Sequence, residues 1–211
     1  MNDLLALDPL LLGAVLIGVC AVGLTSLRTV LAMYAAQTAL LGLFAVDRGL
    51  HREEGVLVLV GLAVVLLKAL AIPMFLGTVA NRIGCRRDDG LLIAPPLLMF
   101  GTVTATAFLV LSGSPSDTLP IEVWPSLELV LLGLLFMMTR RMAISQIIGF
   151  LILDNGLYMY SVAQAQSMPA IVELGVLVDI LVGVMLSGLL AFRINDTFEH
   201  VDVTALQELQ G

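Results

Sequence analysis

The stretch GVLVLVGLAVVLLKALAIPMFLGTVA, Gly55 to Ala80, decides the fold. Lys68 is its one charge, and the run is longer than the ~20 apolar residues a helix needs to cross the hydrocarbon core of a bilayer. Within lipid the backbone must satisfy its own hydrogen bonds, so such a run is a helix. Its surroundings repeat the pattern. Of 211 residues, 59% are hydrophobic and 13% are charged, and the mean hydropathy is +1.04. The charges cluster between apolar runs, and the ten-residue alternation of barrel strands is absent.

The fold class expected is therefore all-α, a polytopic membrane protein of about seven transmembrane helices. The spans expected are Pro9 to Leu27, Thr29 to Val46, Gly55 to Ala80, Leu91 to Leu111, Ile121 to Thr139, Met142 to Ala163 and Ala170 to Phe192. They divide the chain into helices one to three (1–84), helix four with an outer loop (85–120), helices five to seven (121–194) and a polar tail (195–211). The flank Met1-Asn2-Asp3 is acidic where a cleaved signal carries Lys or Arg, so the first span reads as retained.

Basic residues orient the chain. Arg28, Arg82, Arg86, Arg87, Arg140, Arg141 and Arg193 fall in one set of loops, against Arg48 and Arg52 in the other. This bias places the amino terminus outside and the carboxyl terminus in the cytoplasm of a prokaryotic plasma membrane. In the tail, Phe198, Val201, Leu206 and Leu209 fit an amphipathic helix, lying on the membrane surface or docked on a cytoplasmic partner.

Several chemistries are excluded by composition. The formal net charge of −7 argues against a nucleic-acid partner. Cys20 and Cys85 form no Cys-x-x-Cys, and His51 and His200 lie outside the spans. Ligand sets for an iron–sulfur cluster or haem are missing, and no phosphate loop or nucleophilic triad appears. The expectation is no redox centre, metal or other cofactor on this chain, and no catalytic residue.

The informative residues are ionisable groups inside the spans, where a charge at the bilayer centre costs ~2.5–3.5 kcal/mol on insertion scales. Lys68, about twelve residues from either end of its span, lies ~18 Å from both surfaces and cannot reach water by stretching. Asp154 and Asp179 sit near the middle of the sixth and seventh spans. Mutual pairing is the least costly offset, and we expect Lys68 and Asp179 in one polar network at the midplane. Gln37 lies at similar depth and can join it. Glu128 and Glu173 lie nearer the outer surface, either in the pathway or simply reaching water. Each of these residues has a packing alternative: a buried ion pair that fixes helices, or interhelical glue at Asp154 and Asn155.

Backbone signals accompany the charges. Pro73 cannot donate to the carbonyl of Ala69, so a kink is expected there, and Gly156 weakens the helix just after Asp154 and Asn155. Both read as hinges. Lys68, Met74 and Gly77 also recur, at the same offsets, as Asp179, Met185 and Gly188, a faint internal repeat.

On these residues the chain resembles the hydrogenase-4 component E family over nearly its full length. The matching stretches are Tyr34-Ala35-Ala36-Gln37-Thr38, Lys68 with Pro73, Gln146-Ile147-Ile148-Gly149-Phe150 leading to Asp154-Asn155-Gly156, and Asp179. The last three spans are also similar to the K-type subunit of respiratory complex I and the C-type subunit of Mrp cation/proton antiporters, through Ile148-Gly149, Asn155, and Asp179 with Gly183. In the K-type pattern two glutamates carry protons. The second corresponds to Asp179 and the first to Leu151, which cannot ionise, with Asp154 about one turn on.

The resemblance implies a membrane-arm subunit of a complex I-like or nickel–iron hydrogenase-type complex, such as a formate hydrogenlyase, with a proton or sodium pathway through Lys68, Asp154, Asp179, Gln37, Glu128, Glu173 and Asn155. Implied partners are large antiporter-like membrane subunits, a membrane anchor subunit and a peripheral hydrogenase or dehydrogenase arm, with the nickel–iron and iron–sulfur centres in those partners. A subunit of an antiporter without redox partners, and a non-conducting scaffold, remain alternative readings.

Overall fold

A computed structural model describes residues 9–83, 87–88, 94, 102 and 123–164. The described chain is helical. Helix α1 spans Pro9–Val22, α2 Leu27–His51, α3 Gly55–Ala63, α4 Ile72–Ile83, α5 Val123–Thr139 and α6 Ala143–Ala163. A π-helical segment, Val64–Ala71, joins α3 to α4 in one rod. By length and composition, Leu27–His51 and Gly55–Asn81 can each cross a membrane. The fourth expected span, apart from residues 94 and 102, the seventh, the tail and the Asp179 half of the repeat lie outside the described residues.

Two boundaries differ from expectation by more than a turn. α1 stops at Val22 rather than Leu27 because Gly23, Leu24 and Thr25 turn the chain into Ser26, the N-cap of α2. α2 runs on past Val46 to His51 and carries Asp47 and Arg48 with it. It ends in a Schellman arrangement, with Glu54 N–H on Gly49 O (2.9 Å) and Glu53 N–H on Leu50 O (3.4 Å). Glu53 takes the left-handed conformation there, φ 57°, a position usually left to glycine.

α2 is the hub, packing on α1, α3, the π-segment, α4 and α6, while α5 and α6 form the most extensive pair. Small residues set these distances, as in membrane bundles where backbones approach closely. A Cβ at Gly61 would lie 2.8 Å from Gly42 O, and one at Gly156 2.7 Å from Val130 N. α6 accordingly runs through Asp154, Asn155 and Gly156 without a break. The weakening expected at Gly156 is accompanied by the close seat of α5 against it.

Pro73 lies at the second position of α4, directly after the π-segment. Ile72 N–H bonds to Leu67 O, an i to i−5 register. The disturbance expected near Pro73 thus appears as a widened turn, which brings the proline to the first turn of a new α segment, where its missing N–H costs little. The outward side of this rod is apolar: Val56, Leu59, Leu66, Leu67 and Met74 are all exposed. A hydrocarbon environment matches such a surface.

Candidate functional site

Inside the bundle the π-segment turns Lys68 inward. Its neighbours Leu66, Leu67 and Leu70 face out, whereas Val64, Lys68 and Ala69 are buried. Lys68 Nζ donates to Asp154 Oδ2 at 2.7 Å, and both side chains are buried. The ammonium also lies 5.6 Å from the centre of the Tyr158 ring, one turn beyond Asp154 on α6. At this separation and an effective dielectric near 20, the attraction is about 6 kcal/mol before desolvation, of the order needed to offset bringing both ions in from water.

Next to the pair, Asn155 is fully buried and tied to α2. Its Nδ2 donates to Thr38 Oγ1 (2.8 Å) and Gln37 Oε1 (3.3 Å). Gln37 Nε2 donates in turn to Ala14 O on α1 (3.0 Å), and Thr38 Oγ1 to Tyr34 O (2.9 Å). Both branches end on main-chain carbonyls, which do not pass protons on. The Gln37–Thr38 arm therefore orients Asn155 and links three helices, and Gln37 reads as an anchor rather than a relay. Among the described residues, Asn155 Oδ1 has no hydrogen-bond partner; such a buried acceptor costs about 1–3 kcal/mol if left alone.

Of the residues singled out from sequence, the structure brings together Lys68, Asp154, Asn155 and Gln37. Glu128 is buried on α5, 6% exposed, rather than reaching water, because α5 turns that face into the bundle. Asp179 and Glu173 lie outside the described residues, and with them the expected Lys68–Asp179 contact. Among the described residues, no three His, Cys, Asp or Glu side chains gather closely enough to hold a metal ion.

Arg140 has a role that its sequence reading missed. Counted as a topogenic loop charge, it is 2% exposed. Its Nη2 donates to Val22 O (2.9 Å) and Leu24 O (2.6 Å), and its guanidinium stacks 4.4 Å from the Phe136 ring centre. It thereby satisfies carbonyls left open at the end of α1. Burial lowers the pKa of Arg140, and the nearby Asp88 carboxylate opposes that shift. Asp88 is itself buried, with its N–H on Thr25 O (2.9 Å). The one available signal was an aromatic residue four positions before an arginine at a helix end.

Comparison with known proteins adds distant and closer relatives. The chain is 35% identical over 206 residues to the uncharacterized protein Rv0085 of Mycobacterium tuberculosis, covering 94% of this chain and 93% of that protein. It is 26% identical over 197 residues to hydrogenase-4 component E of Escherichia coli K12, covering 90% of each, and equally to the protein of that name from Shigella flexneri. No family model matches the chain, and no solved structure matches it.

Proposed function

Because this chain belongs to the family of the Mycobacterium tuberculosis protein Rv0085, and is itself distantly similar to hydrogenase-4 component E, we propose that it is a membrane subunit of a hydrogenase-type, complex I-like assembly. In this reading it contributes the Lys68–Asp154 pair to a proton or sodium pathway. The observation that carries the proposal is that pair: two opposite charges buried at 2.7 Å, on a π-helical segment and a glycine-packed helix. A structural ion pair needs no irregular helix, whereas π turns recur where a side chain must be re-aimed for function.

The pair is a two-state element. With the ammonium in place, Asp154 is satisfied as an anion. When the ammonium swings to another partner, the stranded carboxylate takes up a proton, and the return of Lys68 expels it. Asp179, at the K-type position, is the partner we assign to the swing. Seven spans with a cytoplasmic carboxyl terminus complete the proposed topology. Antiporter-like subunits, a membrane anchor and a peripheral hydrogenase or dehydrogenase arm are its proposed neighbours, and they carry the nickel–iron and iron–sulfur centres.

The deciding measurement is turnover-coupled proton movement by the intact complex in vesicles. Asp154→Asn keeps size and hydrogen bonding but cannot titrate, so the complex should assemble and its coupled proton movement should fall. Unchanged pumping would reduce Asp154 to packing and leave the scaffold reading.

A further inference from the structure

The direction of each hydrogen bond around Asn155 is fixed by its neighbours. Thr38 spends its hydroxyl proton on Tyr34 O, so toward Asn155 its oxygen can only accept. Gln37 spends its amide nitrogen on Ala14 O, so its carbonyl oxygen is what meets Asn155. Two acceptors facing one amide group require the nitrogen there. The Asn155 amide cannot be flipped without placing oxygen against oxygen. Its Oδ1 is therefore committed to the opposite side, on a residue with no exposed surface, and among the described residues no group donates to it.

We propose that Asn155 Oδ1 holds a buried water molecule, one residue along α6 from Asp154, and that this water is the proton-carrying neighbour of the Lys68–Asp154 pair. The ligand is a small neutral donor rather than a metal cation. A hard cation collects several oxygen ligands, usually carboxylates, and no acidic cluster stands among the described residues. A water can accept and donate at once, which the Gln37–Thr38 arm, ending on carbonyls, cannot do. The relay role rests on the pathway reading above, while the hydration itself rests only on the fixed amide.

The test is a lipid-mesophase crystal structure of the full chain, or a cryo-electron-microscopy map of its complex, sharp enough to show ordered water. Density for a water within ~3.2 Å of Asn155 Oδ1 is expected. A protein donor on that atom, or a dry apolar wall against it, overturns the proposal. Infrared spectra of the reconstituted protein give an independent readout. An O–H stretch that shifts in oxygen-18 water should be present in the native chain and absent in Asn155→Leu, and a band unchanged by that substitution counts against the site. The two readings fail separately: a water seen at Asn155 while Asp154→Asn still pumps normally keeps the hydration and removes the relay.

Discussion

Lys68 and Asp154, 86 positions apart in the chain, meet at 2.7 Å in the interior of the bundle. Removing either one alone takes from the other its buried counter-charge at 2.7 Å. Lys68→Met and Asp154→Leu should each destabilise the protein by ~3–5 kcal/mol, whereas the double substitution should cost less than either single one. Thermal unfolding of the parent and the three variants in one detergent measures the cycle. Strictly additive losses would mean that the two charges are satisfied independently.

Glycines set the α5–α6 spacing. A Cβ at Gly133 would run into the main chain at Leu153, while one at Gly77 meets nothing nearer than Leu31 Cδ1 at 4.0 Å. Gly133→Ala should therefore cost ~1–3 kcal/mol. Gly77→Ala should be neutral or stabilising by up to ~1 kcal/mol, the helix-propensity difference. Equal effects in an unfolding assay would contradict the packing described.

What the sequence disclosed follows its physics. Apolar runs and isolated charges report burial, so the described helices and the burial of Lys68, Asp154 and Gln37 were legible. Partner choice was not, because a lone mid-membrane lysine pairs with whichever carboxylate the helix rotation presents. The π-segment sets that rotation, and only Pro73 hinted at it. Of the two readings left open for Glu128, burial removes the one in which it reaches water; distance along a span tells depth, not facing. Arg140 was hidden because a loop arginine and a helix-end clamp have the same sequence.

The Arg140 clamp separates two adjacent arginines. Arg141 is exposed, whereas Arg140 joins the end of α1 to the α5–α6 loop. Arg140→Gln should destabilise by ~2–3 kcal/mol, since charged hydrogen bonds are lost and the carbonyls of Val22 and Leu24 are uncovered. Arg140→Lys should recover little, because an ammonium cannot reproduce the planar fork over Phe136. Arg141→Gln should be near neutral. Burial lowers the pKa of Arg140 from the ordinary guanidinium value. A cation with a depressed folded pKa gains stability only as pH rises through that value, so between pH 5 and 9 the clamp should show no pH dependence.

The two ends of the bundle offer a direct test of orientation. Arg141 lies at the end shared by Ser26 and Arg87, which form an isolated backbone bridge, and Glu53 at the opposite turn. With Cys20 and Cys85 replaced, Arg141→Cys should react with an impermeant maleimide only from the cytoplasmic side, and Glu53→Cys only from outside. The reverse pattern would overturn the orientation drawn from arginine bias.

The position of the carboxylate on α6 makes the sharpest claim about the site. The proposed likeness to the K-type pattern puts an acid at the position of Leu151, here a fully buried leucine, three residues and ~4.5 Å of rise before Asp154. Leu151→Glu combined with Asp154→Leu moves the acid back to that position on nearly the same face. If the π-segment seats Lys68 for Asp154 specifically, the moved carboxylate is left a turn away, and one extra methylene recovers only part of the gap. The combined variant should then assemble better than Asp154→Leu alone, because Lys68 has some counter-charge, yet remain uncoupled in vesicles. Asp154→Glu, which keeps the acid in register, should retain most coupling. Full coupling in the relocated variant would show that any carboxylate on this face suffices and that the π-segment has no positioning role.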